Sequence, residues 1–310
     1  MNIQYFAPLS RAWNRMKKIL FQPFDLGKWF ALGFSAFLAG LLDYHGGGEK
    51  RSSGGHFDLH EFFSLPDQAR EWLDANPDWF SLILIIIVAV ILLILLLTWL
   101  SSRGKFMFLD NVIHNRSNIA KPWTEFRKLG DSLFFWRLGY GVVIAFIFSS
   151  YIWFCYTSLG DMYNQFASDY EMIKSAIWMG LLLVAMGIIT AYISLFLNDF
   201  VVPIMYKRNQ RATVAWGHFL ALSSQHKLVF FKYGLFVLFI FILVMIVIVI
   251  FGLVTCCIGF ILLAIPYINV VILLPVPVWF RGFSVEFLEQ FGEDYKFFPD
   301  EVAGTESPVA

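Results

Sequence analysis

FLNDFVVPIMYKRNQRATVAWGHFLALSSQHKLVFFKYG, residues Phe196–Gly234, leaves one long apolar run, crosses a basic segment and enters the next apolar run. Within the crossing, Trp216, Phe219 and Leu220 fall at helical spacing, the pattern of a helix lying in an interface. An earlier stretch, FLDNVIHNRSNIAKPWTEFRKLGDSLFFWRLG at Phe108–Gly139, runs through the same kinds of residue in the same order. Apolar spans joined on one side by basic, tryptophan-bearing connections are the plan this echo implies.

Composition agrees with that plan. Apolar residues make up 58% of the 310 positions and charged ones 15%, with a mean hydropathy of +0.66, which excludes a soluble domain and points to an integral membrane protein. Lys plus Arg equals Asp plus Glu at 23 each, so no bulk charge suits a nucleic-acid partner. The 3 cysteines cannot build a disulfide framework. Cys155 lies in an apolar run, and Cys256 and Cys257 in a tight turn between helices; all three read as small apolar residues.

Six spans are expected, at 26–42, 79–100, 133–156, 173–197, 228–254 and 258–280. Ahead of the first, residues 1–25 carry Arg11, Arg15, Lys17 and Lys18 beside a stripe of Leu9, Trp13, Met16 and Leu20. That long amphipathic leader marks the first span as retained rather than as a signal peptide. Asp25 is placed to cap it. The insert 43–78 opens with Gly46, Gly47 and Gly48 and regains short helical patterning at its end. In the sixth span Pro266, Pro275 and Pro277 remove amide donors, so the helix must kink or unwind. Arg281–Phe291 reads as another interfacial helix, and 293–310 as a polar tail that frays. The fold class is therefore all-α: a single polytopic membrane domain over 1–292, with six transmembrane helices in three hairpins and cytoplasmic amphipathic helices.

Basic residues set the orientation. Connections on the side of the N-terminus hold 19 Lys and Arg, against 4 on the other side, Lys50, Arg51, Arg70 and Lys174. Both termini are expected in the cytoplasm and the Gly-rich insert outside. Each cytoplasmic segment also carries a tryptophan and then a basic residue at the mouth of the next helix. The pairs are Trp13 with Lys28, Trp123 with Arg137, and Trp216 with Lys232, which serve as interfacial anchors. The spacing parses as three copies of one interfacial helix and two spans. The same residues would also gather in any cytoplasmic loop, so composition alone imitates such a repeat.

Asp110 and Asp199, at the ends of return spans, are candidates for an ion or proton path, because an ionisable group at a helix mouth is costly unless paired or hydrated. The competing reading pairs them with the nearby Arg103, Lys105, Arg116, Lys207 and Arg208. Asn269, between prolines, marks a possible solute path or else satisfies carbonyls that the prolines free. His56, Asp58, His60 and Glu61, with His45, form the one run with metal-ligand spacing, but no distant ligands support it and no metal or other cofactor is expected. No nucleophile, phosphate loop or metalloprotease motif occurs, so enzymatic activity is not expected.

Lys28-Trp29-Phe30-Ala31-Leu32-Gly33-Phe34 follows Pro23-Phe24-Asp25-Leu26. Together with Phe108-Leu109-Asp110-Asn111, Pro203-x-Met205 and Phe280-Arg281-Gly282-Phe283, it resembles uncharacterised prokaryotic six-helix membrane proteins. These are similar to the membrane domain attached to some glycerophosphodiester phosphodiesterases. The resemblance implies the cytoplasmic membrane of a bacterium or archaeon; the phosphodiesterase barrel has no counterpart in these residues, and its activity is not implied. The expected role is non-enzymatic contact with membrane lipids, with a membrane protein partner or with a second copy of the chain. The alternative is a small-solute or lipid transporter using the broken sixth helix.

Overall fold

A computed structural model describes residues 3–41, 68, 70–164, 168–255, 259 and 263–298. The histidine run, the Cys256–Cys257 turn, most of the 43–78 insert and the chain beyond 298 lie outside the described residues. The helices are α1 (Phe6–Phe21), α2 (Leu26–Gly40), α3 (Pro77–Ile113), α4 (Ala120–Glu125), α5 (Arg127–Asn164) and α6 (Asp169–Phe196). They continue as a π-helical turn (Leu197–Val201), α7 (Val202–Arg208), α8 (Ala212–Gln225), α9 (Lys227–Val254), α10 (Pro266–Ile272) and α11 (Pro275–Leu288). No strand occurs among the described residues.

Four helical stretches are long and apolar enough to cross a membrane: α3, α5, α6 with its continuation to Arg208, and α9. A fifth is present if α10 and α11, bent by 63°, count as one broken span. The expected first span is shorter than predicted. The 15 residues of α2 rise about 22 Å at 1.5 Å each, against a hydrocarbon core of about 30 Å. Conversely, α3 runs on to Ile113 and the α6 helix to Arg208, well past the expected ends at 100 and 197. Arg103, Lys105 and Asp110, read as part of a connection, are helical.

Two compact units divide the chain. The second, Leu42–Thr98 with Arg137–Thr190, takes in the most apolar part of α3. Trp79, Phe80, Ile85, Leu92 and Leu93 are all about half exposed or more, a contiguous apolar surface that water does not tolerate. Here Tyr151 Oη donates to the Met179 carbonyl at 2.9 Å, tying α5 to α6.

The first unit comprises Met1–Leu41, Trp99–Trp136 and Ala191–Ala310. Its core sits where the echoing segments lie. Ser101–Val112 of α3 is buried at every position, as is Arg281–Leu288 of α11. A helix enclosed all round needs neighbours on every side. Phe200, Phe219, Phe230, Tyr233, Phe283 and Phe287 supply the aromatic centre, with Phe200 stacked on Phe219 at 5.4 Å and Tyr233 on Phe283 at 5.4 Å. The short α2 is held by close approaches: Gly33 meets Val271, and Gly104 meets the backbone of Leu38 and Ala39. Trp29 Nε1 donates to the Val271 carbonyl at 2.8 Å, and Ser101 Oγ to that of Ala39 at 2.9 Å.

Beyond α11 the chain is pinned rather than frayed up to residue 298. Glu289 Oε1 accepts from the amides of Phe297 and Phe298 at 2.7 and 2.8 Å, and both phenylalanines are buried. Arg208 pairs with Asp294 at 3.2 Å, and Lys207 Nζ donates to the Lys296 carbonyl. This differs from the expected loose tail from 293, because Tyr295, Phe297 and Phe298 interrupt the polar stretch and pack against the core.

Candidate functional site

Charged groups inside the first unit form separate clusters, and the first is built on a proline. Pro203 has no N–H, and one residue earlier Val202 N donates back to the Leu197 carbonyl. In that five-residue register the acceptor Pro203 would have served is the Asn198 carbonyl. Arg281 Nη1 donates to it instead, at 2.6 Å. Asn198 Oδ1 accepts from Lys105 Nζ at 2.7 Å, and the neighbouring Asp199 Oδ2 from Tyr233 Oη at 2.9 Å. Lys105 is 1% exposed and Tyr233 0%, so these bonds answer a demand that burial creates. The π-turn thus gathers α3, α9 and α11 around one irregular stretch of backbone, a feature frequent at functional sites.

Asp110 belongs elsewhere. Arg116 Nη2 lies 2.7 Å from both its carboxylate oxygens, Tyr206 Oη donates to Oδ1 at 2.8 Å, and His114 Nδ1 lies 3.1 Å from Oδ1. The carboxylate in turn moves Arg116 further above its ordinary value. Asn115 and Asn209, both in the left-handed conformation, close the two return helices. Counted back from them, Asp110 precedes its cap by 5 residues and Asp199 by 10. The resemblance of FLDN to FLND therefore does not place the two acids at equivalent points. Each has partners suited to seating helices. Replacing both, Asp110→Asn with Asp199→Asn, is expected to lower thermal stability by about 1–3 kcal/mol and to leave proton flux into vesicles unchanged. Lost flux with an intact fold would restore the proton path.

The three anchor tryptophans each meet another tryptophan, in arrangements that differ. Trp13 packs edge-on against Trp279 at 5.1 Å, Trp123 against Trp99 at 5.9 Å, and Trp216 stacks on Trp136 at 5.2 Å. Each ring meets a second tryptophan on another helix, with Trp13 the most exposed of the three. Their partners' basic residues differ. Lys28 Nζ donates to Asn115 Oδ1 at 2.7 Å, Arg137 is half-buried, and Lys232 is exposed. Asn269 is half-buried on α10, beside the 63° bend.

Three further ion pairs, in two clusters, were not legible as sites. Arg103, over the ring of Trp99 at 4.2 Å, bonds Asp131 at 2.8 Å. Glu286, 1% exposed, accepts from Arg11 Nε at 2.6 Å and Arg15 Nε at 2.5 Å. These pairs join residues 28 and at least 271 positions apart, so no local pattern reveals them. A basic pocket of about 310 Å³ lies on α1, lined by Arg11, Asn14, Arg15, Lys17, Lys18 and Gln22. No group of three or more His, Cys, Asp or Glu able to hold a metal occurs among the described residues.

No curated protein and no solved structure matches the chain. The DUF7544 family model, described as a family of unknown function, matches residues 4–297. Nearly the whole helical assembly falls within that match, and the chain belongs to the DUF7544 family.

Proposed function

We propose that the chain is a six-span protein of a prokaryotic cytoplasmic membrane, with both termini in the cytoplasm. Its role in this reading is non-enzymatic contact with lipid or with a membrane protein partner. The observation that carries it is the separation of surfaces. Residues 79–94 of α3 are apolar and largely exposed, whereas Arg103, Lys105 and Asp110 of the same helix lie in its buried stretch, Ser101–Val112. A lipid-facing segment followed by a packed polar end suits a protein whose working groups sit at one membrane face. In this arrangement α2 and the bent α10–α11 pair serve as first and sixth crossings, each lining the other through Gly33 and Val271. The 19-to-4 bias of basic residues supports the orientation. The resemblance to the membrane domain attached to some glycerophosphodiester phosphodiesterases belongs to this reading too.

Native mass spectrometry of protein released without delipidation tests it. Stoichiometric retention of lipid or of a protein partner is expected; a bare monomer under conditions that keep the fold would sink it. A second reading, transport, is favoured by the 63° break beside Asn269. A single retained solute, with no protein partner, would select it.

A further inference from the structure

The basic residues that follow the three anchor tryptophans are not alike. Lys28 is held by Asn115 and Arg137 has partners of its own, whereas the exposed side chain of Lys232 has none among the described residues. Lys227, in the first turn of α9, is likewise exposed and unpartnered among them. No Asp or Glu occurs from Phe200 to Val285, so α7, α8 and α9 supply no counter-charge. Asp199, just before that stretch, accepts from Tyr233 on the buried side of α9.

At about 100° per residue, Leu228, Phe231, Leu235 and Leu238 fall within one arc of α9 about 140° wide, with Lys227 at one edge and Lys232 at the other. All four apolar side chains are about half exposed or more, while Phe230, Tyr233 and Val237 on the opposite side are buried. Within the arc the Phe231 ring stacks on Tyr192 of α6 at 6.1 Å, and Tyr192 Oη donates to the Phe231 carbonyl at 3.4 Å. That contact fixes the ring as a flat shelf between the lysines. Depth agrees with the charge pattern. From Lys232 to Val254 the helix rises about 33 Å, close to a hydrocarbon core of about 30 Å, and Lys227 lies about 7 Å farther out, in the headgroup layer.

A ligand suited to this face joins an anion to apolar chains. An acidic peptide or a free phosphate would meet the lysines and leave the apolar arc uncovered; a phospholipid covers both, because lysine stems lie along apolar surface while their ammonium groups reach the headgroups. Two cations without a counter-charge favour a headgroup of net negative charge over a zwitterionic one. We infer that the mouth of α9 seats an anionic phospholipid, its phosphate between Lys227 and Lys232 and an acyl chain along Leu235 and Leu238. The inference rests on the lipid-contacting reading above and names a site and a headgroup charge for it.

The test places the full chain in phosphatidylcholine nanodiscs with a trace of phosphatidylglycerol carrying a diazirine on one acyl chain, followed by photolysis and peptide mapping. Labelling of 228–239 is expected, competed by unlabelled phosphatidylglycerol and not by added phosphatidylcholine. Lys227→Gln and Lys232→Gln should each lower it by about fivefold, and Lys227→Arg with Lys232→Arg should keep it. A control pair, Lys121→Gln with Lys128→Gln, removes two exposed charges elsewhere and should leave it unchanged. An equal fall in the control would overturn the site in favour of diffuse surface charge. Equal labelling by a phosphatidylcholine probe would overturn the headgroup assignment, and loss of label to inorganic phosphate would give the lysines to a small anion instead. Two chains per nanodisc with 228–239 unlabelled would give the face to a second copy and overturn the lipid. Specific labelling confined to other segments would overturn this site and leave the lipid-contacting reading standing, whereas no labelling of any span by either probe would overturn both.

Discussion

Glu286→Ala is expected to release α1 from α11. The carboxylate is buried and holds two guanidiniums that reach it from residues 11 and 15, with side chains 51% and 24% exposed. Removing one member of a fully buried pair costs about 3–5 kcal/mol. Partial hydration of the arginines discounts that, so a loss of about 2–3 kcal/mol is expected. What remains between the helices is the face made by Ala12, Met16, Ile19 and Leu20, the Trp13–Trp279 contact, and the bond from Trp279 Nε1 to the Leu9 carbonyl at 3.1 Å. Trypsin provides a direct readout, because its cleavage points Arg11, Arg15, Lys17 and Lys18 all lie on α1. The variant should be cut there at protein concentrations and temperatures that leave the wild type whole, and Glu286→Gln should fall between the two. An unchanged melting temperature together with an unchanged digestion pattern would show that the apolar face alone docks the helix.

The parts of this molecule that follow local rules were legible, and the parts that depend on distant partners were not. The four long helices announce themselves through uninterrupted apolar runs, and the proline break in the last span through Pro266 and Pro275, each of which opens a helix where its missing N–H is harmless. Asp25 caps α2 as its position suggests, accepting from Gly27 N at 2.8 Å. The true extent of α3 was hidden because Arg103, Lys105 and Asp110 fall beyond the uncharged run that ends at Leu100; their burial depends on Asp131, Asn198 and Arg116, of which only Arg116 is near in sequence. Likewise the echo between FLDN and FLND was real as composition and misleading as register. The π-turn at 197–201 inserts a residue, and the acids end in different networks. Pro203 was the available signal: a proline five residues after Asn198 in a continuing helix requires some donor for an orphaned carbonyl. That the donor is Arg281 could not be read without the fold.

Gly104→Leu should have the other large effect. A Cβ at this position would lie 2.7 Å from the Ala39 amide nitrogen, the Leu38 carbonyl carbon and the Leu38 Cβ, and backbone atoms cannot swing aside as a side-chain tip can. The substitution gains up to about 1 kcal/mol of helix propensity but overpacks a closed contact, typically at about 1–3 kcal/mol and more where backbone must move. Leucine should therefore destabilise by about 2 kcal/mol or more, and alanine, whose Cβ alone already meets that backbone, should be destabilising to a smaller degree. Gly139→Ala is the matched control on α5, where an added Cβ meets nothing within 4 Å, and it should be neutral or slightly stabilising. Displacement of α2 from α3 would also break the Ser101–Ala39 bond and loosen α10, which α2 holds through Val271 and through Tyr267 Oη on the Phe30 carbonyl at 3.1 Å. A short helix that cannot span on its own depends on such neighbours for its depth. If Gly104→Leu leaves stability and the accessibility of a cysteine placed on α2 unchanged, α2 is not seated by this contact, and its use as a crossing loses its main physical support.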